Sequence, residues 1–482
     1  MASLLNAAYN PETFRKNGHL LVDLLADYLD KAFTDPNLKA LPWMPPEEMA
    51  AKCKEDFNTP WEGDMPLISF FEKIIANSIH LHHPRYMGHQ VVPPAPMAAL
   101  VELAATLLNN SMAVYEVGPF SSAVEKQVTD WLGSSLGLGE NAAGILTSGG
   151  TIGNLTGLLA ARQHQAPYNI WEEGNKNSVQ LAVLVSSESH YSIARAVKIM
   201  GMGDEGVVKI PVNNRMEIDP NALERVYRNA INEGKHVIAV AANACSTSTG
   251  SYDPLEPIAG FCKSNNLWFH VDAAHGGGAV FTRKYKHLVK GIENADSVVI
   301  DFHKMLLCPA LTSAVIFKNG DTAYETFSQK ASYLLSQEKK GNWFDIAQRT
   351  LECTKKMMGL KIYALLKLYG VQLFDEYITH AYDLAAEFAE LIRETPNFEL
   401  AIEPASNIVC FRFIPQGIES EKLNTINLTC CDKIKEEGEF YIVRTTINEM
   451  VYLRTTLMNP FTTNKDLVQL LDKIHSIGQS LI

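Results

Sequence analysis

The chain is short of positive charge, of patterned cysteine and of long apolar runs. Its 482 residues carry 42 Lys and Arg against 54 Asp and Glu, a formal net charge of −12 with a pI near 5.7. Nucleic acids and anionic membranes both demand a basic footprint, so neither is expected as a partner, whereas a small molecule is. The eight cysteines stand singly except for Cys430-Cys431, with no Cys-x-x-Cys pair and no Cys/His cluster at ligand spacing. Reduced thiols, no bound metal and a cytoplasmic location are the expectation. No stretch approaches the ~18 apolar residues of a membrane span. The start, Met1 to Tyr9, lacks the basic flank and sustained apolar core of an export signal. Internal repeats and low-complexity tracts are missing as well. What is there, 46% hydrophobic and 20% charged residues over this length, is globular and large enough for two or three domains.

Three domains follow from the change of pattern along the chain. In residues 1–92, Asn10-Pro11-Glu12 is a cap, a first-turn proline and a dipole-matching acid, followed by Phe14, Leu21, Leu24, Leu25, Tyr28 and Leu29 at helical spacing. This amphipathic stripe is expected to pack on another subunit or on the main body. A second helix is expected over about 67–80. Residues 93–369 alternate helical stretches with the apolar runs 143–147, 181–186, 237–242, 267–271, 298–300 and 314–317. Continuous Val/Ile/Leu runs mark strands buried on both faces, hence an α/β domain with a mainly parallel sheet. After a long helical region, 346–395, residues 370–482 read as a small α+β domain with strands at 399–402, 408–414, 441–446 and 451–458.

The residues that carry chemistry lie at strand ends. His303-Lys304 follows one apolar run, and Asp272 ends an earlier one. A lysine amine can form a Schiff base with an aldehyde cofactor, and a carboxylate can keep a pyridinium nitrogen protonated, which turns the ring into an electron sink. Either residue alone is commonplace. A third element accompanies them: Ser148-Gly149-Gly150-Thr151 follows an apolar run and opens a helix. Small residues at such a turn let backbone N–H groups approach a phosphate, Ser148 and Thr151 add hydroxyls, and the helix dipole favours the anion. In a parallel sheet, ligands collect at the carboxyl ends of strands, where Ser148, His190, Asp272 and Lys304 are all expected.

These residues resemble the pyridoxal phosphate-dependent amino-acid decarboxylases of the group that contains the glutamate, aromatic amino-acid, histidine and 2,4-diaminobutyrate enzymes. The likeness extends over nearly the whole chain. It includes His83-Pro84-Arg85-Tyr86, Thr147 to Thr151, Ser189-His190-Tyr191-Ser192, Gly250-Ser251-Tyr252-Asp253, Leu351-Glu352-Cys353-Thr354-Lys355 and Arg454 before Thr455-Thr456. The resemblance implies the pyridoxal phosphate-dependent transferase fold (fold type I) with a seven-stranded, mainly parallel sheet, pyridoxal 5'-phosphate as cofactor, and a homodimer with shared active sites. It implies that Lys304 carries the cofactor, that Asp272 pairs with its ring nitrogen, and that His303 contacts its phosphate or the reacting carboxylate. His190 would stack on one ring face, Ala274 would lie under the other, and Ser246 or Thr247 would approach the 3-hydroxyl. Arg454 would receive the substrate carboxylate. His83, Arg85 and Tyr86 would lead into the substrate pocket, and Tyr115, beside Glu116, matches a glutamate-decarboxylase-like pattern.

Two departures from that pattern matter. Asp301-Phe302 stands where the family has Asn-Pro, and a carboxylate there would repel a phosphate unless it points away. The segment from Tyr333 to Cys353 carries no tyrosine after Tyr333 itself, where many relatives have one thought to protonate the product, so His190 or Tyr333 is the candidate proton donor. The expected activity is α-decarboxylation of a short polar L-amino acid (glutamate, aspartate or 2,4-diaminobutyrate). The alternatives are an aromatic substrate, or oxidation of the unprotonated carbanion to an aldehyde.

Overall fold

In the computed structural model, which describes residues 3–55, 57–59, 66–176, 178–327 and 343–482, the apolar runs of the middle of the chain pair into one seven-stranded sheet. The strands are β1 (Ala143–Thr147), β2 (Gln180–Ser186), β3 (Val207–Ile210), β4 (Lys235–Asn243), β5 (Trp268–Asp272), β6 (Ser297–Asp301) and β7 (Ser313–Phe317), in the order β1-β7-β6-β5-β4-β2-β3. From β3 across to β6 all neighbours are parallel, and β7 runs antiparallel to both β6 and β1. The mainly parallel seven-stranded sheet expected from the sequence is therefore present. β3 has no counterpart among the expected strands: it is a four-residue edge strand whose Lys209 is exposed.

The strands are apolar on both faces because helices cover both. On one side the helix Gly150–Gln165 packs over β1, β4, β5, β6 and β7. Leu158, Val183, Val185, Ile193, Ile238, Val299 and Phe317 close the core there, each side chain of this size contributing about 1.5–3 kcal/mol on full burial. Two glycines let that helix approach. A Cβ on Gly153 would come within 3.1 Å of Val299, and one on Gly157 within 2.7 Å of the His270 ring. Larger residues there would lift the helix off β5 and β6.

The chain divides into two compact units. The larger comprises Gln90–Ala386 with Ile402–Val409, and the smaller comprises Met1–His89, Glu387–Ala401 and Cys410–Ile482. A second sheet is made of β8 (Phe398–Leu400), β9 (Ile408–Phe413), β10 (Val443–Ile447) and β11 (Met450–Thr456), in the order β10-β11-β9-β8. The helix Ser420–Glu437 packs on β11 and on the helix Asn464–Gln479, which starts with a Thr463/Asp466 capping box. In the N-terminal helix Pro11–Thr34 the Asn10 side chain accepts from the N–H groups of Glu12 and Thr13, as its cap pattern predicts. Phe14 and Leu25 of its apolar stripe are exposed. Among the described residues no helix is long and apolar enough to cross a membrane.

Candidate active site

At the carboxyl ends of the parallel strands lies a cavity of about 340 Å³. β1 delivers Ser148, Gly149, Gly150 and Thr151 to its wall, the turn after β2 delivers His190, the turn after β4 delivers Thr247, β5 delivers Asp272 and Ala274, and β6 delivers His303 and Lys304. All of these were expected. Ser246 is not among the lining residues: it is buried, with its hydroxyl against that of Thr249. Tyr333 lies outside the described residues. Asn154, Ser192, Cys245 and His275 also line the cavity, and no motif in the sequence assigns a role to any of them.

The glycine turn has the backbone that a close anion approach requires. Gly149 sits at φ +117°, a conformation other residues rarely adopt, and the helix begins at Gly150. Beside it, the Ser148 hydroxyl donates to Glu352 Oε1 at 2.5 Å. The second oxygen of Glu352 is buried with no hydrogen-bond partner among the described residues. The segment that carries Glu352 is anchored by Lys355, whose ammonium reaches both Glu125 and the Leu146 carbonyl, while Glu125 accepts the Leu146 N–H. Residues 351–355 therefore brace the end of β1 immediately before the turn.

Asp301 does not point away from this region. Its carboxylate, which a Cβ on Gly150 would meet at 2.9 Å, accepts from Ser313 Oγ and lies 3.2 Å from Lys304 Nζ and 3.5 Å from His303 Nε2. Across the cavity, Asp272 accepts from the Asn154 side-chain amide at 2.8 Å and from the Ala274 N–H at 3.2 Å. His190 caps the helix Tyr191–Ile199, accepting from the Ser192 N–H. Burial holds its imidazole below the ordinary histidine range, against the pull of Asp272. Desolvation pushes the Cys245 thiol up to about 12, so it lines the site uncharged.

The remaining expected residues fall into two groups. Tyr115, in the larger unit, donates its N–H to Asp345 and sets its ring edge-on to Phe344. Within the smaller unit, Arg85 donates to Glu439 at 2.6 Å and to Gln469 at 2.8 Å, faces Asp466 at 3.6 Å and stacks over Phe440. His83 accepts the Arg85 N–H, and burial together with the Arg85 charge lowers it to about 4. Tyr86 is buried and donates to the His89 carbonyl. Arg454, also buried, donates to Thr456 Oγ1.

Residues 46–414 match the profile described as the pyridoxal-dependent decarboxylase conserved domain. The L-2,4-diaminobutyrate decarboxylase of Acinetobacter baumannii is 31% identical over 417 residues, which is 84% of this chain and 81% of that protein. An acidic amino acid decarboxylase of Mus musculus is 28% identical over 486 residues, 98% of this chain and 88% of its own length. The crystal structure of mouse CSAD superposes with a TM-score of 0.91 at 26% identity, covering 98% of this chain and all of that one.

Proposed function

The chain belongs to the pyridoxal-dependent decarboxylases, and from that membership we propose that it acts on an L-amino acid with a short polar side chain: glutamate, aspartate or 2,4-diaminobutyrate. Its cofactor is pyridoxal 5'-phosphate and its reaction is amino-acid decarboxylation. The names of two similar proteins support the substrate class, one a diaminobutyrate and one an acidic amino acid decarboxylase. The observation that carries the placement of the site is that an amine, a carboxylate and a glycine turn at a helix start border one cavity.

That donor set fits the cofactor group by group. Ser148, Gly149, Gly150 and Thr151 offer hydroxyls, a helix N-terminus and a bare backbone to its phosphate. Lys304 would supply the amine that holds its aldehyde carbon, and Asp272 would supply the acceptor for its ring N–H. When bound, the cofactor supplies a cationic ring that draws the electron pair of the Cα–carboxylate bond as CO2 departs. His190 and Ala274 would hold the two ring faces, Thr247 would stand on the 3-hydroxyl side, and His303 would contact the phosphate or the departing carboxylate. His190, or Tyr333, delivers the proton that Cα needs. Arg454 receives the substrate carboxylate through its planar guanidinium, while Tyr115, His83, Arg85 and Tyr86 set side-chain preference.

We infer further that the protein works as a homodimer. Leu100, Leu103, Leu107 and Leu108 stand exposed on the helix Pro96–Leu108, an apolar strip that a second copy would cover. Sedimentation of the full chain reads this directly.

One assay tests the chemistry. A panel of L-amino acids, supplied with pyridoxal phosphate, is scored for CO2, amine, peroxide and ammonia. Amine equal to CO2 from a short polar substrate is expected. Turnover confined to aromatic amino acids would overturn the substrate class, and peroxide with ammonia in place of amine would convert the reaction to the oxidative one. A Lys304→Ala chain should acquire no new visible absorbance from the cofactor.

A further inference from the structure

Behind Asp272 and His190 runs a chain of buried, hydrogen-bonded side chains. Trp268 Nε1 donates to Ser297 Oγ at 2.8 Å, and Ser297 Oγ lies 2.8 Å from His270 Nδ1. His270 Nε2 lies 3.1 Å from Asn154 Oδ1. The Asn154 amide nitrogen donates twice, to Asp272 Oδ2 at 2.8 Å and to Ser192 Oγ at 3.0 Å, and Ser192 Oγ lies 2.8 Å from His190 Nδ1. His270, Ser297, Asn154 and Ser192 are almost wholly inaccessible to solvent.

The direction of every bond between Trp268 and Asp272 is determined by those two ends. An indole N–H can only donate and a carboxylate only accepts. The Asn154 atom that faces Asp272 is therefore its nitrogen, which leaves Oδ1 as an acceptor for His270. His270 must then carry its proton on Nε2, so its Nδ1 accepts from the Ser297 hydroxyl, whose oxygen in turn accepts from Trp268. Burial lowers the His270 imidazole to about 4, which leaves it neutral with the single proton this order needs. On the other branch, the Ser192 backbone N–H donates to His190 Nδ1, which makes that nitrogen an acceptor, so Ser192 Oγ accepts from Asn154 and donates its hydroxyl hydrogen to the same Nδ1. His190 is left with its proton on Nε2, a nitrogen with no hydrogen-bond partner among the described residues.

We propose that Asn154 is a positioning residue for the reaction. One amide aims the Asp272 carboxylate and, through Ser192, fixes His190 as the Nε2–H tautomer with that proton available to the cavity. The inference rests on the reading of Asp272 and His190 given above and adds the device that sets both at once. A single side chain thus couples the group that holds the ring nitrogen to the group that can hand over a proton.

The test reads tautomers first. Full-length chain labelled with 15N-histidine and not yet loaded with cofactor should show both His190 and His270 as neutral Nε2–H forms at neutral pH. Asn154→Leu should turn His190 into a mixture of tautomers, and after loading with pyridoxal phosphate it should lower kcat by on the order of 10²-fold, the scale of one proton-transfer group, with KM within about three-fold. Ser192→Ala, a smaller change at less risk to folding, should release the His190 tautomer while the His270 signal stays as it was. His190 found with its proton on Nδ1 in the unaltered chain overturns the proposal, as does an Asn154→Leu enzyme with unchanged kcat. Asp272→Asn separates the two claims: if it leaves turnover intact while the tautomers are as stated, the reading of Asp272 fails and the order of the hydrogen bonds stands.

Discussion

The ammonium of Lys304 lies 3.2 Å from the carboxylate of Asp301, whose side chain is 2% exposed and which ends β6 three residues earlier. The turn after the strand folds the lysine back over the acid. The same carboxylate stands against Gly150, where the helix dipole and bare N–H groups would hold a phosphate. A negative charge thus sits in the anion cradle, and the neighbouring ammonium offsets it.

Asp301→Asn should therefore tighten phosphate binding. Two like charges about 5 Å apart repel by about 3 kcal/mol at an effective dielectric of 20, and Lys304 screens most of this, so a net gain on the order of 1 kcal/mol is expected. That is roughly five-fold in affinity. Calorimetric titration of the cofactor-free chain with inorganic phosphate measures it, and an unchanged or weaker affinity would show that Asp301 does not face the bound anion.

Glu352 makes a separate case from the other side of the turn. Its carboxylate takes the Ser148 hydroxyl that a phosphate would use. Glu352→Gln removes the charge and weakens that competition, so cofactor should associate faster and leave more slowly, by several-fold in total. Ser148→Ala should act in the opposite direction by about 1.5–3 kcal/mol, the value of a hydrogen bond to a charged group. Stopped-flow absorbance of cofactor binding reads both variants.

The Lys355–Glu125 pair is the most fully buried charge pair near the site, with side chains 2% and 3% exposed. Lys355→Met leaves a buried carboxylate without its cation, at a cost of about 3–5 kcal/mol. Replacing both, Glu125→Leu with Lys355→Met, should recover much of the loss. Urea unfolding midpoints decide, and a single variant as stable as the parent would mean that water reaches Glu125.

The sequence shows the strand-end residues because each carries its own signal: a glycine pair after an apolar run, an acid ending another, His303-Lys304 ending a third. What lies behind them is hidden for a physical reason. Asn154, His270 and Ser297 are unremarkable one by one, and they meet only because β5 pairs with β6 while the helix Gly150–Gln165 crosses both. Gly153 and Gly157, opposite Val299 and His270, are the signs of that close approach in the sequence. The expected helical region 346–395 divides in a similar way. Only Gly359–Tyr369 and Gln372–Glu394 are regular helices, with Gly370 at φ +69° between them, while residues 349–358 run irregularly so that Lys355 reaches Glu125. Helical propensity cannot register such a long-range tie. The four residues of β3 fail to stand out because an edge strand exposed on one side needs no continuous apolar run.

Acid should weaken the fold through His270. The unfolded chain takes up a proton on this residue near the ordinary value of 6.5, whereas burial holds the folded imidazole down to about 4, with Asp272 pulling the other way. Between those values the unfolded state binds the extra proton, so the stability present above pH 6.5 declines as the pH falls towards 4 and is not lost further below it. From pH 7 to pH 5 the decline from this one group is roughly 2 kcal/mol. His270→Gln cannot titrate, so whatever its stability at pH 7, its loss between pH 7 and pH 5 should be smaller than the parent's by about that amount. Unfolding free energies from urea titrations at the two values provide the comparison. Parallel pH dependences for parent and variant would mean that His270 is already charged in the folded chain, or reaches water, and the neutral Nε2–H form on which the hydrogen-bond order depends would be lost with it.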